Sequence, residues 1–599
     1  MCGITGYLGD GDSVELIAQG LKNLEYRGYD SAGVAVVDDD VNVYKQEGTI
    51  DGITLPDSEP TAYGIGHTRW STHGPPSDRN AHPHTDCTGD IAVVHNGIIS
   101  NYHELKADLD GHIFESDTDT EVIPHLIEEE LADGVDLLPA VQRVLDRLEG
   151  SFAIGVGQAG SERLIGARQD SPLVVGHGED GTFLASDVTA FIEQTKFVSY
   201  LEDGDVVDVG VDGATVYNDG EVVDREPQEI KWDAEDTSKA GHDHYMHKEI
   251  HEQPHALRQT LSGRVDETAG KVDLELDLGD ELLEGIDRVH IVACGTSYHA
   301  GLYAKRLFET YSGLSVEVSR ASEYRVHDGH DPENTLAVAI TQSGETADTL
   351  SAIRTAKSIG TPTLAVTNTV GSTVTREVDD TVYIRAGPEI GVAATKTFVS
   401  QVATLALVAV HAGRVRGTIS ASKAASFLQS VNQLPSAVQE VLNSEAVIER
   451  IAEKYADSES FFFIGKAYGH PVALESALKL KEISYEHAEG FPAGELKHGP
   501  LALVTEQTPV IALLTEGTEA AETMSNVKEV QSRGAPVIGL SSDSGKSEFC
   551  EELIEVPEMG EMEPVVANVA LQLLAYHVAD LKGRAIDKPR NLAKSVTVE

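Results

Sequence analysis

The chain has 599 residues, and 99 Asp plus Glu against 45 Lys plus Arg give it a net charge of −54, although 41% of its residues are hydrophobic. Single cores rarely grow beyond about 250–300 residues, so several domains are expected: length suggests roughly four, and the motifs argue for three. A surface this acidic repels phosphate backbones, which argues against nucleic acid as a partner, while orderly strand and helix runs argue against acidic disorder.

The opening residues lack a basic stretch followed by an apolar core, so no signal peptide is expected. Residues 1–220 read as short strands punctuated by turns, with a few helices. Ala32–Val37, Ile91–Val94, Phe152–Val156 and Leu173–Val175 are β-rich and bounded by Gly, Asp or Pro. A charged segment from Gln228 to Gly241 reads as a linker, placed within 221–245. From there strands alternate with helical runs, which predicts parallel α/β sheets. The longest apolar run, Val402 to Val410, is far short of the ~20 residues of a membrane span. The four cysteines, Cys2, Cys87, Cys294 and Cys550, show no paired spacing. Neither a disulfide framework nor a zinc site is expected from them, and a reducing cytoplasm fits.

The second half repeats itself. Leu336–Ile340 leads into Thr341-Gln342-Ser343-Gly344-Glu345-Thr346, a helix, Gly360 and Pro362; Val510–Leu514 leads into Thr515-Glu516-Gly517-Thr518, a helix, Gly534 and Pro536. In both copies the Gly lies 19 residues after the leading Thr. Val289–Ala293 before Cys294-Gly295-Thr296-Ser297 and Phe461–Ile464 before Gly465-Lys466 match likewise, so two homologous α/β domains are predicted, 246–430 and 445–588. The hydroxyls of Thr341, Ser343 and Thr346, with Gln342 and Gly344, lie between a strand and a helix start, where unpaired N–H groups suit a phosphate. A plain helix cap is the competing reading. Thr296 and Ser297 follow another strand end, where open α/β sheets bind ligands. The second copy, with Glu516 in its loop, suits phosphate less, so one site per chain is expected.

Met1-Cys2-Gly3-Ile4-Thr5-Gly6 opens the chain. Once Met1 is removed, Cys2 carries a free α-amine that can act as base for its own thiol. This opening, Glu25-Tyr26-Arg27-Gly28-Tyr29-Asp30-Ser31-Ala32-Gly33, His67-Thr68-Arg69-Trp70, Asn80-Ala81-His82-Pro83-His84, His95-Asn96-Gly97 and Ser116-Asp117-Thr118-Asp119-Thr120-Glu121 resemble the glutaminase domain of N-terminal-cysteine amidotransferases. The C-terminal loops resemble sugar isomerase domains. Lys479-Leu480-Lys481-Glu482, Gly494-Glu495-Leu496-Lys497-His498-Gly499-Pro500 and the ending from Pro589 to Glu599 resemble the glutamine–fructose-6-phosphate aminotransferase family.

That resemblance spans essentially the whole chain. It implies an N-terminal α+β glutaminase of the N-terminal-nucleophile type, layered α/β/β/α, then two sugar isomerase domains with parallel sheets and a catalytic tail, 589–599. Cys2 would attack glutamine; Arg69 would clamp its α-carboxylate and Asp119 its α-ammonium. Asn96 and the Gly97 N–H would form the oxyanion hole; Thr72, His73 and His82 would line the pocket, and Trp70 would gate ammonia. In the sugar half, Lys479 would join the binding loops and His498 would open the ring of fructose 6-phosphate. Lys594 would form the imine and Glu482 would shuttle the proton. In the family the histidine reaches across from a neighbouring subunit, which implies a homodimer or larger. No metal or organic cofactor is implied.

Departures from the family pattern are small. Thr341 replaces a common serine, and Ala394 replaces a serine of the sugar site, so one hydrogen bond is either missing or supplied by Thr395. His251-Glu252-Gln253-Pro254-His255 fits a zinc-protease pattern by letters, but Pro254 would break the helix that pattern needs. The rivals are another glutaminase-coupled amidotransferase, which would carry an unrelated synthetic half, and a non-catalytic phosphosugar sensor, which would have no need of Cys2, Glu482, His498 and Lys594.

The charge balance generates a prediction. Self-repulsion among so many carboxylates is screened over a few ångströms at high salt and hardly at all at low salt. Thermal melts followed by circular dichroism should show stability falling as salt drops from molar to millimolar. The acidic balance in a chain with an orderly fold pattern is read as adaptation to the salt-rich cytoplasm of a halophile, and unchanged melting would refute it.

Overall fold

The computed structural model describes residues 2–56, 63–71, 73–230, 239–274, 276, 278–326 and 330–597. They form two compact units: Met1–Thr237 together with Ala593–Glu599, and Ser238–Leu592.

The first unit stacks two antiparallel sheets between helices. One sheet has eight strands, with Gly3–Gly9 near its centre between Gly181–Ala185 and Tyr63–Arg69; the other has seven, built around Ile91–Ile99 and Gly150–Gln158. Side chains alternate faces along a strand, and the cores follow that period. Ala92 and Val94 join Ile4, Ile65, Ala153 and Leu164 between the sheets. Val93 turns outward to pack with Ile123, Leu126 and Val141 of the helices Val122–Ala132 and Leu137–Leu145. On the opposite face Ile17, Leu21 and Leu24 of helix Ser13–Leu24 cover Tyr7, Val34 and Phe183. This is the expected α/β/β/α layering.

Two details differ from expectation. The strand expected at Ile91–Val94 runs on to Ile99, because Asn96 and Gly97 stay paired with Ala153 and Phe152 despite their polarity. The boundary expected at 220 falls too early. Glu221–Val223 and Gln228–Glu229 pair at the edges of the two sheets, and their short, charged sequences read as linker because edge strands carry little apolar pattern.

The second unit contains two five-stranded parallel sheets. Their orders match: Ser315–Arg320, Arg288–Ala293, Thr335–Ile340, Thr363–Thr367, Asp380–Tyr383 in one, and His487–Pro492, Ser460–Gly465, Val510–Leu513, Val537–Ser541, Glu552–Glu555 in the other. Thr335–Ile340 is buried at every residue, as a strand covered on both faces must be. The two repeats are not separate cores. Helices Lys396–Val415 and Glu563–Leu581 contribute to one continuous apolar cluster with residues of both sheets. By length and composition alone Lys396–Val415 and Gly560–Leu581 could each cross a bilayer, but 83% and 89% of their apolar windows are buried within the protein. They are core helices, longer than the single apolar run in the sequence because small and polar residues such as Thr404, Asn568 and Gln572 are buried among the aliphatics.

Candidate active sites

Strand register places the first site. Gly3 pairs with Thr68 and Ser31 with Arg69, so the residue before the central strand meets the end of Tyr63–Arg69. The Trp70 N–H donates to Cys2 Sγ at 3.2 Å, and the thiol lies 3.5 Å from the Trp70 carbonyl. Gly28 explains part of the Glu25–Gly33 motif, since a Cβ there would come within 2.7 Å of the Arg69 backbone.

Around Cys2 the polar groups are held by buried partners. Asn96 Nδ2 donates to the Cys2 carbonyl at 3.1 Å. Asn96 Oδ1 lies 3.1 Å from His67 Nε2, which is also 3.0 Å from the His95 carbonyl. Two acceptors at one nitrogen place the proton on Nε2 and so fix the Asn96 amide with its donor end toward Cys2. Gly97 adopts φ +130°, and a Cβ would stand 1.9 Å from the Ser151 carbonyl, so glycine is required in the strand at this position.

Arg69 donates to Ser71 Oγ at 3.1 Å and to the carbonyls of His73 and Gly74. Burial pushes its pKa down, against the pull of Cys2, Asp30 and Asp119. Asp119 Oδ2 accepts from the Ile99 N–H at 2.8 Å, and Oδ1 lies 3.9 Å from His73 Nδ1. Glu121 organises this loop by accepting from the Glu115 and Ser116 N–H groups at 2.6 and 2.8 Å. Cys2, Arg69, Trp70, His73, His82, Gly97 and Asp119 therefore line one small pocket, together with His95, Thr118 and Thr120, which carried no role in the sequence reading. Thr118 and Thr120 belong to a quoted motif, but only the fold reveals their direction. Thr72 lies outside the described residues.

The sugar-half residues belong to the second unit, apart from Lys594. Arg288–Ala293 and Thr335–Ile340 pair in parallel from Arg288↔Thr335 to Ala293↔Ile340, so helix Gly295–Tyr311, whose first turn carries Thr296 and Ser297 where a loop was expected, starts beside the Thr341–Thr346 loop. The strand order reverses there, the switch point at which open α/β sheets bind ligands. Thr341 Oγ1 accepts from the Gly344 N–H at 3.2 Å, Ser343 Oγ from the Glu345 N–H at 3.2 Å, and the Gln342 carbonyl from the Asn368 N–H at 3.1 Å. Thr346 stands before helix Ala347–Ser358 and its side chain makes no cap bond. Ser297 Oγ accepts from Gln401 at 2.9 Å. The corresponding loop of the second repeat borders a cleft lined by Thr515, Ser542 and Lys546 but also by Glu516, Glu519, Asp543 and Glu558, four carboxylates against one lysine, a poor place for a phosphate.

Helix Gly469–Ser484 carries a buried ionic network. Lys479 Nζ is 2.5 Å from Glu482 and 3.6 Å from Glu475. Glu475 in turn accepts from Thr296 Oγ1 at 3.0 Å and faces His299 Nδ1 at 2.8 Å. Burial alone would lower the Lys479 pKa, but Glu482 and Glu475 raise it; burial raises that of Glu482 against the pull of Lys479. Lys479 is thus a fixed cation and Glu482 a carboxylate shifted toward proton exchange. Glu475 and His299 were missed from sequence, although charges at 475, 479 and 482 follow the i, i+4, i+7 spacing of one helix face.

His498 ends a 3₁₀ segment, Ala493–His498, and is exposed. Lys594 is half-buried and falls with the first unit. Thr395 does not replace a serine at Ala394, because its hydroxyl is buried against Glu389. The zinc-protease pattern fails as expected: helix Tyr245–His251 ends, helix Gln253–Leu261 begins with Pro254 in its first turn, and His255 is exposed. His251 instead joins His247 and His577 on Glu445. Burial works against ionising that carboxylate, but the three imidazoles hold it well below the usual range.

Comparison with known proteins accords with this geometry. A glutamine amidotransferase domain matches residues 67–193, and an SIS domain matches twice, at 282–411 and 454–580. Glutamine–fructose-6-phosphate aminotransferase (isomerizing) from Halobacterium salinarum is 60% identical over 604 residues, covering 100% of both chains. The chain belongs to the glutamine–fructose-6-phosphate aminotransferase family. A relative of the same name from Thermus thermophilus is 48% identical, again over 100% of both chains. The solved C-terminal domain of glucosamine-fructose-6-phosphate aminotransferase from Francisella tularensis is 38% identical, with a TM-score of 0.56 over 58% of this chain and 99% of its own.

The buried imidazoles set a pH dependence. Burial lowers the pKa of His67 to about 3 and those of His82 and His84 well below their ordinary value. An unfolded histidine titrates near ~6.5, so below that pH the unfolded chain binds protons the folded unit refuses. The stability from these neutral rings is present above about pH 6.5 and is lost as pH falls toward 3, at up to about 1.4 kcal/mol per pH unit for each. Thermal melts between about pH 7 and 5 should fall less steeply for His84→Gln than for the parent; equal slopes would assign the acid loss elsewhere.

Proposed function

We propose that this chain transfers the amide nitrogen of L-glutamine to D-fructose 6-phosphate with isomerisation, giving D-glucosamine 6-phosphate and L-glutamate. The observation that carries this reading is the convergence of Cys2, Arg69, Gly97 and Asp119 on one pocket, with Asn96 bonded to the Cys2 carbonyl, in a chain that also holds the buried Lys479–Glu482 pair.

With Met1 removed, the Cys2 amine takes the thiol proton and Sγ attacks the glutamine carboxamide carbon. Asn96 and the Gly97 N–H take the oxyanion, a contribution of about 3–4 kcal/mol per donor in comparable sites. The amine returns its proton to the departing nitrogen, so ammonia leaves and a thioester remains, which water cleaves to glutamate and free thiol. Arg69 and Asp119 grip the two ends of the amino acid, which excludes substrates lacking either charge. On the sugar, His498 assists ring opening and Lys594 condenses with the C2 ketone, releasing water. Ammonia displaces Lys594, leaving an imine at C2; Glu482 then takes a proton from C1 and returns it at C2 while the O1 hydroxyl proton passes to nitrogen, which leaves an aldehyde at C1 and the amine at C2. The Thr341–Thr346 loop and the first turn of helix Gly295–Tyr311 hold the phosphate. The exposed position of His498 suits a role in a neighbouring copy, which supports a homodimer or larger, and a cytoplasmic location suits a soluble biosynthetic enzyme with free thiols.

The two half-reactions should separate by mutation. Cys2→Ala should cut glutamine-dependent amino-sugar formation on the order of a thousandfold or more while sugar-phosphate isomerisation continues. Lys594→Arg leaves a guanidinium that stays protonated; it should abolish amination and isomerisation while glutamate release persists. Parallel assays of glutamate and sugar phosphate decide the matter. Conversion of fructose 6-phosphate by Lys594→Arg would place the imine on another lysine.

A further inference from the structure

Outside both sites, the first unit gathers four ligand-bearing side chains from three separate segments. Cys87 lies in the hairpin turn between strands His84–Thr85 and Ile91–Ile99. His112 lies in the loop after helix Tyr102–Asp108, and His125 and Glu128 share one face of helix Val122–Ala132 at i and i+3. Cys87 Sγ is 3.5 Å from His112 Nδ1 and 3.6 Å from His125 Nδ1, and the two Nδ1 atoms are 3.3 Å apart. Glu128 Oε2 is 3.1 Å from His112 Nδ1 and 3.4 Å from His125 Nδ1. All four atoms lie within 4.8 Å of one another.

These are the spacings of a tetrahedron. Zinc binds sulfur at ~2.3 Å and imidazole nitrogen or carboxylate oxygen at ~2.0–2.2 Å, and ligands at those lengths in tetrahedral array stand about 3.3–3.6 Å apart. Hydrogen bonding accounts for the cluster less well, because both imidazoles aim the same nitrogen inward at each other and at the carboxylate. The surroundings also fit. The Ile113 N–H points at Cys87 Sγ at 3.5 Å, as suits a thiolate, and His112 Nε2 lies 3.7 Å from Glu129, the carboxylate–imidazole arrangement that orients a metal-bound histidine. Cysteine spacing gave no sign of this site, because three of its four donors are not cysteines and Cys87 is 25 and 38 residues from the histidines.

We propose that Cys87, His112, His125 and Glu128 bind one structural zinc(II) ion. The mixed sulfur, nitrogen and oxygen set favours zinc over magnesium or calcium, which prefer oxygen alone. All four positions are filled by protein, so the ion closes a brace rather than offering a catalytic face. Binding releases the Cys87 thiol proton to solvent. The brace ties both ends of segment 112–125, which carries the Ser116–Glu121 loop, to the Cys87 turn.

The test uses the full chain, stripped of metal in molar salt and titrated with Zn²⁺ and, separately, Co²⁺. The parent should bind one equivalent of Zn²⁺ that survives dialysis and should melt at higher temperature with it. The Co²⁺ form should show the intense visible bands of tetrahedral cobalt with a near-ultraviolet thiolate charge-transfer band. Cys87→Ser should lose that band, and Glu129→Gln, which keeps every ligand, should weaken Zn²⁺ binding about tenfold. The histidines around Glu445 could supply only nitrogen and oxygen, so binding there would give no thiolate band. A folded parent that shows no such band, or a band that persists unchanged in Cys87→Ser, would overturn the proposal.

Discussion

The pairing of Gly3–Gly9 with Tyr63–Arg69 is the constraint on which the first site depends. A one-residue slip in an antiparallel pair would reverse every side chain on the strand. Here it would expose Ile4, which is fully buried between the sheets, and withdraw Cys2 from the Trp70 N–H. The register is therefore held by the core and read out at Cys2. Strand Ile91–Ile99 obeys the same logic: Val93 and Val94 anchor it on opposite faces, and its extension carries Asn96 and Gly97 to Cys2.

In the second unit the decisive feature is electrostatic. Lys479 and Glu475 are almost completely buried, and removing one member of such a pair costs about 3–5 kcal/mol because the other is left uncompensated. Buried ion pairs contribute little net stability against apolar replacements, so this helix face makes better sense as a fixed charge arrangement for chemistry. Thr296 and His299, three residues apart on helix Gly295–Tyr311, both meet the same carboxylate, Glu475. The parallel repeat supplies the scaffold twice, yet in the second repeat the hydroxyls of Thr515 and Ser542 share their cleft with four carboxylates.

Much of this was legible in the sequence because the chemistry is carried by short runs. Cys2, His67–Trp70, His95–Gly97 and Ser116–Glu121 are contiguous motifs, and the 19-residue spacing from loop to glycine revealed the α/β repeat. What stayed hidden depends on distant residues meeting. Glu475 and His299 lie 176 residues apart, and neither has a local signature. The role of His67 in fixing the Asn96 amide needs two strands in register. The short edge strands at 221–223 and 228–229 carried charge where a strand pattern was sought. The Cys87 cluster escaped for the same reason as Glu475, since convergence is a property of the fold rather than of spacing.

The central claim is that nitrogen released at Cys2 becomes the amine of the sugar product. Incubating the protein with amide-¹⁵N-glutamine and fructose 6-phosphate, with unlabelled ammonium in excess, tests it directly. The account predicts a 2-amino-2-deoxyhexose 6-phosphate whose nitrogen, by mass spectrometry and NMR, is predominantly ¹⁵N at C2. A product carrying mainly unlabelled nitrogen, or glutamate release with no amino sugar, would contradict it.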